Sequence, residues 1–302
     1  MADAPALQRE IRRLITTTGP MLVADYMRLA LTHPQHGYYV GRDPLGAAGD
    51  FITAPEISQM FGELIGLWMA SVWRQMGAPE NVRIVELGPG RGTLLLDALP
   101  VHQAVRQADG WHERVVEIGA DGKLCFGVAN DTLPHFETSL PRALRGSPAG
   151  SIFEWRDDRT ALDLGRRVRD EGAALILDYG HVKYGLGDTL QAVAGHAYVD
   201  PLQSPGEADL TAHVDFEALA QSAESIGGRI HGPILQRDFL LRLGIKQRAA
   251  TLKANASRDM ALEIELALSR LTASGAQGMG ELFKALAIAD PKLGALPGFE
   301  AP

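Results

Sequence analysis

A single cysteine among 302 residues, Cys125, rules out a disulfide framework and a thiolate zinc site built within the chain. It lies in the apolar run Leu124-Cys125-Phe126, the setting of a small buried thiol. Basic charge is also in short supply. Lys and Arg total 29 against 37 Asp and Glu, a net charge of −8, so the chain has no basic footprint of a nucleic-acid binder. The densest basic cluster, Arg166, Arg167 and Arg169, is diluted by Asp163 and Asp170 and reads as a solvated helix face. No apolar run is long enough to span a bilayer. Met1 to Leu14 has no signal-peptide core, and Asp3 and Glu10 argue against an import presequence. These features predict a cytoplasmic protein in a bacterium, or a matrix protein if the source is eukaryotic.

What remains, 46% apolar and 22% charged residues, is ordinary globular composition with enough length for a sizeable core. Helical spacing predicts helices over Leu7–Ile15 and Met21–Leu31. A loop rich in glycine and aromatic residues follows, from His33 to Phe51. Thr53 and Glu56 make a capping box, and Ile57, Met60, Phe61, Leu64 and Trp68 continue it as an amphipathic stripe that reads as core. Val82–Leu87 reads as a strand, Gly88–Gly92 as a turn and Thr93–Leu99 as a short helix stopped by Pro100. His112–Ile118 and Lys123–Val128 flank Asp121-Gly122, a hairpin signal. Further on, Asp157–Arg169 is expected as a helix and Ala173–Asp178 as a buried strand ending in an acid. Phe216–Ile226, Phe239–Leu243, Met260–Leu271 and Leu282–Leu286 are expected as helices. Alternating strands and helices predict an α/β fold.

The sharpest feature is Ile84-Val85-Glu86-Leu87-Gly88-Pro89-Gly90-Arg91-Gly92-Thr93. Glycines let the backbone approach a ligand, and the next helix N-terminus supplies partial positive charge. The spacing is G-x-G-x-G, whereas dinucleotide binders favour G-x-G-x-x-G. Glu86, two residues ahead of the first glycine, would oppose a pyrophosphate but welcome an amine or a sulfonium. That combination suits S-adenosylmethionine and disfavours a nicotinamide dehydrogenase. Glu86, Gly88, Gly90 and Gly92 are the candidate cofactor residues, with Thr53 and Glu56 on a loop that would close over the cofactor.

This motif resembles motif I of class I S-adenosylmethionine-dependent methyltransferases. Further stretches are similar to one branch, the MidA family: His36-Gly37-Tyr38-Tyr39, Gly49 to Glu63, Leu177-Asp178-Tyr179-Gly180-His181, Asp209 to Phe216, and Gly278 to Lys284. The matches keep their order from about Leu14 to Phe299. The resemblance implies a Rossmann-like, doubly wound sheet with a helical N-terminal region (1–80) and a methyltransferase-like α/β domain (81–302) carrying an inserted hairpin at about 110–130. It implies methylation of protein arginine, on a substrate such as a respiratory complex I subunit during assembly. An arginine acceptor needs carboxylates to hold its guanidinium, and ligands of open α/β sheets sit at the carboxyl ends of strands. Asp178, His213 and Asp215 are the candidate catalytic residues. Asp209 and Asp215 could equally be caps or turn residues, and His213 a structural histidine.

One departure stands out. Thr93-Leu94 runs almost directly into Leu95 to Val101, which resembles a much later element of the family. About two βα units, roughly 30 residues each, are missing, including the strand expected to grip the ribose. The alternative expectation is therefore a non-catalytic assembly or binding module that has lost part of its cofactor site.

Overall fold

The computed structural model describes residues 5–41, 54–86, 100–275 and 278–300. Thr53, the Gly88–Gly92 turn and the expected helix over Thr93–Leu99 lie outside them. In chain order the first elements are α1 (Ala6–Thr18), β1 (Met21–Leu22), α2 (Val23–Thr32), α3 (Tyr38–Gly41), α4 (Ala54–Ile57) and α5 (Gln59–Gln75). Next come β2 (His102–Arg106), β3 (Trp111–Ile118), β4 (Leu124–Thr132), α6 (Phe136–Ser139), β5 (Ile152–Trp155), α7 (Arg159–Val168) and β6 (Ala173–His181). Then follow β7 (Gln191–Ala194), β8 (Ala197–Val199), β9 (Asp209–Thr211), β10 (Val214–Asp215), α8 (Phe216–Ser225), β11 (Arg229–Leu235), α9 (Gln236–Arg242), α10 (Ile245–Lys253), α11 (Arg258–Thr272) and β12 (Phe283–Ala289). The α/β class expected from the sequence is what the chain adopts, arranged as two compact units.

The first unit takes residues 1–51, 86–157 and 185–213. Its main sheet is antiparallel and centred on β3, with β4 on one edge, β1 and β2 on the other, and β5 beyond β2. The β3–β4 hairpin turns where the sequence predicts: Gly122 has φ 75°, and Asp121 Oδ1 accepts from the Lys123 amide at 2.9 Å. Leu7, Ile11 and Ile15, one per helical turn of α1, join Tyr26, Met27 and Ala30 of α2 against Val116 and Leu124. A second sheet runs β8–β7–β9.

His112 is buried in β3 with both ring nitrogens engaged: Nε2 lies 2.9 Å from Asp109 Oδ1 and Nδ1 2.8 Å from the Ala129 carbonyl. Two acceptors favour the doubly protonated ring, so the Asp109 hydrogen bond lifts the imidazole above its ordinary value of 6.5. A folded value above the unfolded one stabilises the fold fully below about pH 6.5, and that gain is lost as pH rises through the raised value. Two-dimensional NMR of the ring protons should show this raised midpoint, and Asp109→Asn should bring it down.

The second unit takes residues 52–85, 158–184 and 214–302. Its sheet runs β10–β6–β12–β11. β10 is parallel to β6, and β12 is antiparallel to both of its neighbours. Alternation along the strands sorts side chains to two faces. Ala173, Leu175 and Leu177 of β6 join Ala285, Ala287 and Ala289 of β12 against α5, α9 and α10. Ala174, Ile176 and Ile288 face Val168 of α7 and Ala223 of α8. Helices therefore cover both faces, the doubly wound layering that the sequence implied.

Three expectations need correction. Leu282–Leu286 is not helical: Phe283–Ala289 is the strand β12, and Ala285 to Ala289 are fully buried. A short, mostly apolar run has no decisive helical period, and here two flanking strands satisfy its backbone. The stripe helix starts at Gln59, because Ser58 takes the cap and its Oγ accepts from the Met60 amide at 3.2 Å. Ile57 belongs to the separate short helix α4. Finally, Val82–Glu86 is not a strand: it has no regular structure and is exposed throughout. An isolated strand leaves both rows of backbone groups unpaired, so apolar sequence alone does not make one.

Candidate functional site

The carboxyl ends of β6 and β10 meet at the second unit's edge, where the sequence stretch Asp178-Tyr179-Gly180-His181 finishes β6. Gly180 is indispensable to that approach. A Cβ there would sit 2.1 Å from the Val214 carbonyl oxygen, so only glycine lets β10 lie alongside. Register then sets Asp215 opposite His181, with Asp215 Oδ2 3.5 Å from His181 Nε2. The other oxygen, Oδ1, accepts from the Ala218 amide at 3.0 Å and caps α8. Asp215 thus serves as a helix cap and as a partner for an imidazole that keeps 31% of its side-chain exposure.

Around this pair, Tyr184 donates its amide to Glu217 Oε2 at 2.7 Å and its hydroxyl to Gln221 Oε1 at 2.9 Å. Burial, with the carboxylates of Asp215 and Glu217, pushes the Tyr184 phenol up to about 12, so it stays a hydrogen-bond donor at neutral pH. Asp178 is half-buried, its Oδ1 accepting from the Tyr179 amide at 2.8 Å. Opposite it in β12 stands Lys284, buried, with Nζ donating to the carbonyls of Glu281 (2.5 Å) and Leu282 (2.9 Å). Burial lowers the Lys284 ammonium below its usual range. The edge therefore gathers carboxylates, an imidazole and a phenol, groups that hold a cationic acceptor and move a proton.

The remaining candidates fall elsewhere. His213 belongs to the first unit, where its amide donates to Thr189 Oγ1 at 2.9 Å. That hydroxyl and the Thr189 amide bind the buried Glu154 carboxylate, which also accepts from Gln103 Nε2 at 2.6 Å. The backbone of His213 is thus fixed by a buried polar network. Asp209 is buried too and accepts from the Tyr39 hydroxyl at 2.7 Å. Glu56 lies exposed in α4. Glu86 is exposed at the end of Val82–Glu86, on no sheet, while Gly88, Gly90 and Gly92 lie outside the described residues. Tyr184, Glu217 and Lys284 had no sequence assignment, and His181, after the Asp-Tyr-Gly turn, stood between a functional and a structural reading. An imidazole following the strand-end glycine, with an acid opening the next helix, was the available signal.

Comparison with known proteins places this architecture. A family profile described as "Putative S-adenosyl-L-methionine-dependent methyltransferase" matches residues 64–97 and 95–234. The protein arginine methyltransferase NDUFAF7 homolog, mitochondrial, of Drosophila melanogaster is 35% identical over 373 aligned positions, covering 94% of this chain and 84% of its own. The Danio rerio protein arginine methyltransferase NDUFAF7, mitochondrial, is 33% identical, covering 92% and 86%. A crystal structure from Burkholderia thailandensis, bound to S-adenosyl-homocysteine, superposes with TM-score 0.79 at 25% identity, covering 97% of this chain and 94% of that one.

The alignments also bear on the missing segment. Ninety-four per cent of 302 residues is about 284, so about 89 of the 373 aligned positions have no counterpart here. The profile breaks into two pieces that meet at residues 95–97, just past Thr93. With a profile matched over more than half its length and relatives above 30% identity along nearly all of it, the chain belongs to the S-adenosyl-L-methionine-dependent methyltransferase family.

Proposed function

We propose that this protein methylates arginine side chains of a protein substrate, with S-adenosylmethionine as methyl donor and a subunit of a respiratory complex as the substrate the family resemblance implies. The observation that carries this reading is the 35% identity, over 94% of the chain, to a protein named an arginine methyltransferase. The carboxylates of Asp178, Asp215 and Glu217 supply the charge that a guanidinium requires at the β6–β10 edge. His181, held by Asp215, is placed to accept a proton there. For the cofactor, Glu86 and the glycines Gly88, Gly90 and Gly92 remain the assigned residues.

A second reading has its own support: Glu86 stands exposed off any sheet and about 89 positions of the relatives are skipped. On that reading the chain is a binding or assembly module without cofactor affinity. One paired experiment separates the two. Calorimetric titration with S-adenosylmethionine is expected to give a dissociation constant near ~1 μM, about −8 kcal/mol, on the first reading and no heat on the second. Labelled methyl transfer to an arginine-rich subunit follows. Binding without label on arginine would reject the substrate assignment, and no binding would reject the enzyme reading for this chain.

A further inference from the structure

The stretch Gly278 to Lys284 works as a clamp on the carboxyl end of β6. Gly278 and Gly280 press on the end of α11, where added Cβ atoms would lie 2.2 Å from the Ala273 carbonyl oxygen and 2.4 Å from that of Thr272. The amides of Met279 and Gly280 donate to the carbonyls of Arg270 and Ala273 at 2.8 and 3.0 Å. The Gly280 carbonyl accepts from the Arg237 amide at 3.0 Å. Arg237 also spans the turn with its side chain, Nη1 donating to Glu281 Oε1 at 2.5 Å and to Ser274 Oγ at 2.9 Å. Held on both sides, the turn delivers Leu282, whose carbonyl accepts from the Gly180 amide at 3.3 Å. Gly180 is the residue against which β10 lies.

Lys284 closes the clamp. It is the one charged residue of β12 and is buried. Its ammonium donates to the Glu281 carbonyl and to the same Leu282 carbonyl that receives Gly180, whose two lone pairs serve both donors. For stability alone this is a poor choice, because an alkyl side chain of similar length would avoid the desolvation of a charge. What the ammonium supplies is position: a cation on two successive carbonyls fixes the oxygen on which the end of β6 hangs. Register also sets Lys284 directly opposite Asp178, on the same face of the sheet. We infer that Lys284 is a positioning residue, acting through the Leu282 carbonyl to hold Asp178, Gly180 and His181 where an arginine acceptor docks. This role rests on the arginine methyltransferase reading.

Lys284→Met keeps the side-chain length and removes every donor, whereas Lys284→Arg keeps the charge and the donors. Amide exchange followed by NMR on the full-length protein comes first, with no cofactor or substrate added. Gly180 should exchange about tenfold faster in Lys284→Met, while mid-strand amides of β6 keep their rates. Methyl transfer to the arginine-rich subunit comes second. Per cofactor-binding site, kcat should fall about 10–100-fold in Lys284→Met, with little change in KM for S-adenosylmethionine. Lys284→Arg should recover most of both losses, which a role in packing alone would not produce. Should Lys284→Met not fold, Lys284→Gln, shorter and uncharged, takes its place with the same expectations. Gly180 exchange at the wild-type rate overturns the clamp. A kcat at the wild-type level, or one that arginine does not recover, overturns the positioning role. A wild type that transfers no methyl group removes the proposed function and the acceptor's part of this inference. The exchange rates then still decide whether Lys284 sets the strand end.

Discussion

Gly180→Ala is expected to detach β10 from β6 and to cost about 2–3 kcal/mol, the upper range for overpacking. The added methyl would meet main chain on three atoms of Val214: its oxygen at 2.1 Å, and its carbon and nitrogen at 2.9 Å each. A side chain could rotate away; a paired strand can only move as a whole. Moving it carries Asp215 off His181 and loosens the capped start of α8. Urea titration should show an earlier midpoint. Gly185 is the matched control five residues on, with open space where its Cβ would be; Gly185→Ala should stay within about 0.5 kcal/mol of wild type.

Phe239→Ala should have a larger effect still, about 3–5 kcal/mol. Phe239 of α9 is fully buried, and its ring lies 5.1 Å from that of Phe299 at a 43° interplanar angle. Gly298 presses on the same ring, leaving 2.7 Å between Phe239 and the place a Cβ would take. Three groups thus share one contact, and truncation leaves a cavity that close-packed helices and strands cannot refill. Amide exchange in β12, under which this ring packs, should accelerate strongly in the alanine variant. Phe239→Leu, which keeps most of the volume, should recover the greater part of the protection.

Local signals explain what the sequence made legible. Asp121-Gly122 fixes its hairpin by a side-chain bond and a left-handed glycine, both set within four residues. Leu7, Ile11 and Ile15 announce α1 by spacing alone. The strand β6 was readable from its apolar run, and Asp178 from its place at the end of that run. β12 was not, because a short apolar run, broken here only by Lys284, looks the same in a buried helix or strand until its partners are known. Val82–Glu86 failed for the opposite reason: its residues favour a strand, but a strand exists only with neighbours, and it has none among the described residues. The site divided similarly. Asp215 could be named from sequence, whereas its pairing with His181 depends on strand register, which no local pattern encodes.

The position of β12 has a consequence in time. β6 is complete by His181, yet the strand that lies between it and β11 begins only at Phe283. A ribosome adding about 5–20 residues per second needs roughly 5–20 s to make the intervening hundred residues. During that interval the Leu175–Leu177 run of β6 waits without β12 beside it. Contacts so distant in sequence also close slowly once both strands exist. The second unit's sheet therefore closes only once β12 has been made, about a hundred residues after β6.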